Sequence, residues 1–122
     1  MIVMSKPWLI GFTEAEGSFY IVKKGPNRLV HAFEMTQKLD IIVLEAIAVI
    51  FQVKVTKKKL YNTVIVSSLK DIPQIVEYFH KTMKGMKALE YRIWARSFNS
   101  KNKNFDYLLK IQNLMRNIRS IR

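Results

Sequence analysis

Residues 8–18 read WLIGFTEAEGS, in which an apolar helix pattern ends in an acid and a glycine and is followed by a strand. Gly17 is expected to end the helix. Gly11 and Ala15 are four residues apart, so they lie on one face of that helix. Small residues at this spacing allow two helix backbones to approach closely, which favours a dimer interface at Gly11 and Ala15, and an ordinary amphipathic core helix is the alternative. The helix is apolar on several sides, which favours burial on more than one side.

The segment after this helix alternates apolar and polar side chains with the period of two that is typical of a β-strand. Strands are predicted at 18–24 and 28–38, because Gly25-Pro26-Asn27 between them is a turn sequence. A second hairpin is predicted from strands at 51–57 and 60–67, with three consecutive lysines in its turn. One face of each strand is apolar and the other is mixed, so we expect a sheet with one open face.

Helices account for most of the remaining chain. Ser5 is expected to cap the first helix, Asp40 the second, and Asp71 with Pro73 to open the third. Helices after the first are predicted at 41–50, 71–81, 87–98 and 105–118. The predicted order is αββαββα(α), an α+β fold in which helices cover one face of a four-stranded antiparallel sheet. A chain of this length predicts a single domain over residues 1–122.

The charge of the chain points to a polyanionic partner. Twenty-one Lys and Arg stand against nine Asp and Glu, a formal net charge of +12, and the excess is spread along the sequence. A nucleic-acid surface is the favoured interpretation, and an ordinary basic protein is the alternative. Membrane binding is disfavoured, because no stretch pairs a basic face with a strongly apolar one. The longest apolar run, 41–51, is interrupted by Glu45 and is too short to span a bilayer.

The residue types also exclude several kinds of site. Without cysteine the chain has neither disulfides nor a thiolate zinc site. The two histidines, His31 and His80, are far apart in sequence, which argues against a two-histidine metal site. No basic-then-apolar leader precedes the first helix, so secretion is not expected. Frequent Lys, Ile and Asn suggest AT-rich coding, as in an organelle, and a prokaryotic cytoplasm is the other location considered.

The run from Leu9 to Gly17 resembles the LAGLIDADG motif of homing endonucleases. The outright matches are Leu9, Gly11, Ala15 and Gly17, and Glu14 and Glu16 replace the two aspartates. Ile10 and Thr13 depart from the pattern in size or polarity. Shorter matches follow in the same order, SFYI at 18–21, TQK at 36–38 and GMKALEY at 85–91. The resemblance implies the same core, with the sheet curved into a saddle over DNA.

The resemblance also implies a catalytic site. It implies that Glu16 and the adjoining Gly17 hold a divalent ion, with Mg²⁺ expected, and that Gln37 and Lys87 lie around the metal-bound water. Acidic oxygen ligands near the scissile phosphate suit this chemistry. The alternative for Glu16 is an ordinary polar helix end, and for Lys87 one surface lysine among many. Glu14 is the weaker acidic candidate, and Lys84 is a rival to Lys87.

The open sheet face is predicted to read DNA, since a two-stranded ribbon fits the major groove. The candidate contacts are Tyr20, Val22, Lys24, Arg28, Val30, Ala32, Glu34, Lys54, Thr56, Lys58, Tyr61 and Thr63. Arg28 can read guanine in two hydrogen bonds, and Glu34 can accept from cytosine. Lys58, in the turn of three lysines, is expected to meet phosphate.

These expectations describe a homodimeric endonuclease subunit that cuts both strands of a long, partly palindromic DNA site. One chain supplies one well-placed acid, Glu16, so two copies are needed to bring two together. Two alternatives stay open. The chain could be a splicing cofactor that binds intron RNA without cutting, or one half of a two-motif endonuclease that needs a different partner.

Overall fold

The structure is a computed structural model that describes residues 5–38 and 41–121, without the side chains of Met86 and Ile121. The elements in chain order are α1 (Lys6–Glu16), β1 (Gly17–Gly25), β2 (Arg28–Gln37), α2 (Ile41–Phe51), β3 (Thr56–Lys57), β4 (Asn62–Val66), α3 (Ile72–Phe79), α4 (Gly85–Phe98) and α5 (Phe105–Ile121). The four strands form one antiparallel sheet in the order β1-β2-β4-β3. The predicted α+β class and element order are confirmed. The cap predicted at Asp40 lies outside the described residues.

Helix α1 begins and ends where its sequence predicts, but Gly17 ends it for a reason other than backbone freedom. The Ser5 hydroxyl accepts a hydrogen bond from the Trp8 amide at 3.3 Å, which confirms the predicted cap. Gly17 has an extended conformation with φ −84°. A Cβ on Gly17 would lie 2.7 Å from Thr13 Cγ2 and 2.8 Å from the Thr13 carbonyl oxygen. Glycine is therefore required because the turn from α1 into β1 is too tight for a side chain.

The first hairpin, β1 and β2, has one buried face and one open face, as the alternation of apolar and polar residues predicts. Gly17 pairs with Met35 and Phe19 with Phe33, so the two strands bury Phe19, Phe33 and Met35 on the helix side. Trp94 of α4 packs on Phe19 with ring centroids 5.0 Å apart. Buried residues of all elements except β3 form the hydrophobic core. The helices cover this face, and the opposite face of the sheet stays open.

The second hairpin is shorter than predicted. The strand predicted at 51–57 is only β3, and Phe51 is instead the last residue of α2. Gln52 adopts a left-handed conformation with φ 55°, and the amides of Gln52 and Val53 donate to the Val49 and Ala48 carbonyls. This pattern closes a helix end, usually with glycine in the place of Gln52. Because Gln52 stands where glycine is usual, the sequence gives no signal for the end of α2.

The remaining boundaries differ by a few residues from those predicted. Helix α3 is two residues shorter at its end, helix α4 begins two residues earlier at Gly85, and α5 continues to Ile121. Asp71 precedes α3 as predicted but makes no side-chain cap, and the Ser68 hydroxyl instead accepts from the Asp71 amide at 3.1 Å. Among the described residues, no helix is both long and apolar enough to cross a membrane.

Candidate active site and nucleic-acid interface

The joint between α1 and β1 carries the predicted acid. Glu16 is exposed at the last position of α1, and Gly17 is the first residue of β1. A carboxylate at a helix C-terminus lies beside the negative end of the helix dipole. The dipole repels the negative charge of the carboxylate and attracts a bound cation. The backbone carbonyl of Gly17, the next residue in the chain, is a second oxygen at the joint and accepts from Lys87. The joint therefore offers two hard oxygen donors.

Lys87 reaches this joint from the first turn of α4. Its Nζ donates a hydrogen bond to the Gly17 carbonyl at 2.6 Å, and its side chain is only 10% exposed. The match at 85–91 and the motif at 9–17 thus meet in space, seventy residues apart in the chain. The structure brings Lys87 into contact with Gly17, the residue after Glu16, and the catalytic roles that the resemblance implies for these three residues stay predictions.

Lys84, the rival to Lys87, and Glu14, the other acid of the motif, contact each other. The Lys84 backbone amide donates to the Glu14 carboxylate at 2.6 Å, so Glu14 fixes the segment that leads into α4. This contact uses the backbone of Lys84, whereas Lys87 directs its ammonium group at Gly17. The geometry favours Lys87 over Lys84, and it makes Glu14 a structural acid.

Gln37 lies at the end of β2, at the same end of the sheet as the joint. Met35 pairs with Gly17, and Gln37 follows two residues later, opposite Asn62 of β4. Gln37 is half-buried. The register thus places it near the α1–β1 joint, and its role in the chemistry stays a prediction.

Two residues at this site were not singled out in the sequence. Glu90 of α4 is only 1% exposed, and its carboxylate lies 3.4 Å from Lys87 Nζ and 2.6 Å from Arg119 Nε of α5. Glu90 is the one acid in the α4 sequence and stands three residues after Lys87, a spacing that places both on one helix face. That spacing could have identified Glu90. Arg119 comes from a separate helix, so local sequence carries no signal for its role.

The oxygen donors suit a hard divalent ion, but one chain supplies few of them. Mg²⁺ and Ca²⁺ prefer carboxylate and carbonyl oxygens, which Glu16 and Gly17 provide. Within residues 5–38 and 41–121, no three His, Cys, Asp or Glu side chains form a group that could hold a metal ion. The donors fit the ion in type, and a second copy of the joint would raise their number.

The outer face of α1 is accessible. Gly11 and Ala15 are exposed, and a Cβ at Gly11 would meet no atom within 4 Å. Trp8 lies one turn before Gly11 and is 47% exposed, with its ring stacked 5.1 Å from that of Phe12. A surface of small residues beside an exposed aromatic ring is available to a second helix, so the predicted interface is sterically open.

Six of the twelve predicted DNA contacts are exposed and form the most accessible part of the set. They are Lys24, Arg28, Lys54, Thr56, Lys58 and Tyr61. Val22 and Val30 are half-buried on the open face. Four of the exposed six are cations, so this surface suits a phosphate backbone.

Glu34 is already engaged within the sheet. Its carboxylate accepts hydrogen bonds from the Tyr20 hydroxyl at 2.8 Å and from the Thr36 hydroxyl at 3.0 Å. Burial, followed by this contact with Glu34, raises the pKa of Tyr20 well above its usual value. Glu34 therefore has less capacity to accept from cytosine than its sequence position suggests.

Ala32 and Thr63 are corrections to the predicted contact set. Ala32 is 0% exposed in its pair with Tyr20, and Thr63 is 1% exposed. The Thr63 hydroxyl donates to the Met35 carbonyl at 3.0 Å. Both stand on the open face by register, but neighbouring side chains cover them, so neither presents a surface to DNA. Ile65, two residues beyond Thr63 on the same face, is exposed and was missed.

The chain is similar in sequence to known endonucleases. The sequence model of a family described as LAGLIDADG endonuclease matches residues 9–98. The probable intron-encoded endonuclease Cox1-I1b of Schizosaccharomyces pombe (strain 972 / ATCC 24843) is 38% identical over 126 residues, which cover 96% of this chain and 33% of that protein. The chain therefore spans about a third of the length of that relative.

Solved structures share the fold at low identity. The homing endonuclease I-TnaI superposes with a TM-score of 0.71 at 19% identity, over 93% of this chain and 99% of that one. The LAGLIDADG meganuclease I-CpaMI, bound to uncleaved DNA, superposes with a TM-score of 0.81 at 16% identity, over 91% of this chain and 45% of that one. I-GzeII, in complex with its DNA target, gives a TM-score of 0.73 at 23% identity, over 96% and 44%.

Proposed function

The chain belongs to the LAGLIDADG endonuclease family, and on that premise we propose that it is a subunit of a site-specific, metal-dependent DNA endonuclease. The proposed product is a double-strand break in a long, partly palindromic target. The observation that carries the proposal is the contact of Lys87 Nζ with the Gly17 carbonyl, 2.6 Å, directly beside the exposed Glu16. It places an acid, a carbonyl oxygen and a cation at one end of an open, basic sheet.

Each residue of the joint has a distinct part in this proposal. Glu16 and the Gly17 carbonyl would hold Mg²⁺, which when bound polarises the scissile phosphate and lowers the pKa of its water. Lys87, whose own side chain is only 10% exposed, would place its ammonium group where it stabilises negative charge on the phosphate. Gln37, at the end of β2, would lie around the metal-bound water at the same end of the sheet.

Two chains complete the proposed enzyme. Each chain brings one Glu16, and pairing of α1 helices through Gly11 and Ala15 would place two copies beside a two-fold axis. In favour of this arrangement, the homing endonuclease I-TnaI has a chain of similar extent, of which this chain matches 99%. The S. pombe relative favours the other arrangement, because this chain covers a third of its length. In that arrangement the chain pairs with a different half, and the mass in solution separates the two.

The exposed cations of the sheet supply the proposed DNA surface. Arg28 begins β2 and is expected to reach a base edge, whereas Lys58 lies in the tip of the second hairpin and is expected to meet phosphate. The DNA-bound state of I-CpaMI and I-GzeII supports a duplex partner. The intron-encoded relative and the Lys-, Ile- and Asn-rich composition favour an organellar gene as the source.

The experiment that tests the proposal is a cleavage selection. Purified protein is incubated with Mg²⁺ and a duplex library that has a randomised site, and the cut ends are sequenced. We expect one family of partly palindromic sites, cut on both strands, with no cutting in EDTA. Recovery of bound but uncut duplexes at every Mg²⁺ concentration would show a binding protein instead of a nuclease.

A further inference from the structure

The outer edge of β1 is bonded to the helices by a row of side chains. Strand β1 lies at the edge of the sheet, so alternate carbonyls point away from β2. Three of them, at Gly17, Phe19 and Ile21, accept from Lys87, Arg119 and Gln112 respectively. The first carbonyl of this row is the one beside Glu16. The edge bonds therefore extend into the candidate active site.

Glu90 links two members of this row. Its Oε1 accepts from Arg119 Nε at 2.6 Å, and its Oε2 lies 3.4 Å from Lys87 Nζ. Glu90 is 1% exposed and Lys87 10%, so water screens this interaction poorly. A buried carboxylate between two cations costs desolvation, which only good geometry repays. Such an arrangement fixes where both cations lie.

We propose that Glu90 and Arg119 are positioning residues that hold Lys87 and the Gly17 carbonyl in place for DNA cleavage. Arg119 holds the strand at Phe19 and orients Glu90, and Glu90 holds the Lys87 ammonium against Gly17. Glu90 also supplies the negative charge that allows an ammonium to lie beside a cation-binding joint. This inference rests on the proposed nuclease function and assigns to it two residues that act through Lys87.

The first test separates binding from the chemical step. Glu90→Gln keeps the size of the side chain and an acceptor for Arg119, but removes the charge. We expect its single-turnover cleavage rate, at saturating DNA and Mg²⁺, to fall at least about 10-fold, while the Kd for DNA changes less than about 2-fold. The matched control is Gln112→Ala, which removes another edge bond of β1 but has no link to Lys87. We expect this control to lose stability and to keep the wild-type rate.

A double-mutant comparison shows whether Glu90 acts through Lys87. In a Lys87→Met background, the further change Glu90→Gln should lower the rate by less than about 2-fold, because the group that it positions is gone. Equal losses from Glu90→Gln in both backgrounds, an unchanged rate in Glu90→Gln, or an equal loss in Gln112→Ala would overturn the inference. If Glu90→Gln does not fold, Arg119→Lys carries the test, since it keeps the charge and loses one arm of the contact.

A second readout does not depend on activity. A shielded, hydrogen-bonded lysine ammonium exchanges slowly, so Lys87 Nζ should give a resolved ¹H–¹⁵N signal in the wild-type chain without metal. We expect Glu90→Gln to broaden or shift that signal and Gln112→Ala to leave it in place. If the wild-type protein cuts no DNA, the proposed function fails while this readout still decides the placement of Lys87. An unchanged signal in Glu90→Gln would overturn the positioning role by itself.

Discussion

The tight turn at Gly17 predicts an unusually localised effect of adding one methyl group. In Gly17→Ala the new Cβ would lie 2.7 Å from Thr13 Cγ2 and 2.8 Å from the Thr13 carbonyl oxygen. The carbonyl is backbone and cannot rotate away, so the strand must shift. Overpacking of this kind costs about 1–3 kcal/mol. The φ of −84° suits alanine, which returns about 0.4–1 kcal/mol by restricting the unfolded chain.

The net expectation for Gly17→Ala is a loss of up to about 2.6 kcal/mol in the free energy of unfolding. Gly11→Ala is the matched control, because it makes the same substitution six residues earlier on an open helix face with no atom within 4 Å. In the separate chain, where no second α1 packs on this face, the helix should gain about 0.5–1 kcal/mol. The two variants therefore differ in sign as well as in size.

Urea unfolding followed by circular dichroism measures both values, at several protein concentrations because dimer formation also stabilises the folded state. Gly17→Ala should also move the Gly17 carbonyl away from Glu16 and Lys87, so cleavage should fall even at temperatures where the variant is fully folded. A Gly17→Ala protein as stable and as active as the wild type would refute the packing argument. Destabilisation by Gly11→Ala at all concentrations would refute the claim that this face of the chain is open.

Three further predictions concern stability, DNA binding and assembly. Burial, followed by repulsion from Lys103, lowers the pKa of His31 from 6.5 to about 4. Below pH 6.5 this histidine is therefore protonated in the unfolded chain but not in the folded chain. Acidification to pH 4 should lower the free energy of unfolding by about 3 kcal/mol. Urea midpoints against pH should show this loss in His80→Gln but not in His31→Gln. In binding titrations at several salt concentrations, Arg28→Ala should lose about 1–3 kcal/mol on the target alone. Lys58→Ala should weaken all duplexes equally and reduce the salt slope by about one unit; equal effects of both variants on target and scrambled DNA would make Arg28 a phosphate contact. Gly11→Leu should separate the α1 helices and give a monomer by sedimentation, and a wild-type monomer at micromolar concentration would contradict the dimer.

The sequence predicted the first half of the fold well, because its signals there are local. Ser5, the apolar period of α1 and Gly17 mark one helix, and the alternation around Gly25-Pro26-Asn27 marks one hairpin. The second hairpin was predicted too long, since Gln52 closes α2 in a conformation that glycine usually signals. Phe51 was predicted to begin a strand, but it ends α2 and its side chain packs in the core.

The site was predicted in part for the same reason. The resemblance implied a meeting of Lys87 with the α1–β1 joint, and the structure has that contact. The Arg119–Glu90 pair joins two helices through residues 29 positions apart in the chain. Helix and strand periodicities do not relate residues at that separation. Ala32 satisfied the alternation rule and still has no exposed surface, because alternation assigns a face and cannot tell whether neighbouring side chains cover it.

We propose that Glu16 holds the metal ion needed for DNA cleavage, and the variant Glu16→Gln removes this ligand alone. The amide keeps the shape of the side chain and removes the charge that binds a divalent ion. The measurement compares DNA affinity and Mg²⁺-dependent cleavage of the selected target for both proteins. We expect affinity close to that of the wild type, because most of the proposed phosphate contacts lie on the sheet, together with loss of cleavage on both strands. Cleavage by Glu16→Gln at the wild-type rate would contradict the assignment of the active site to this joint.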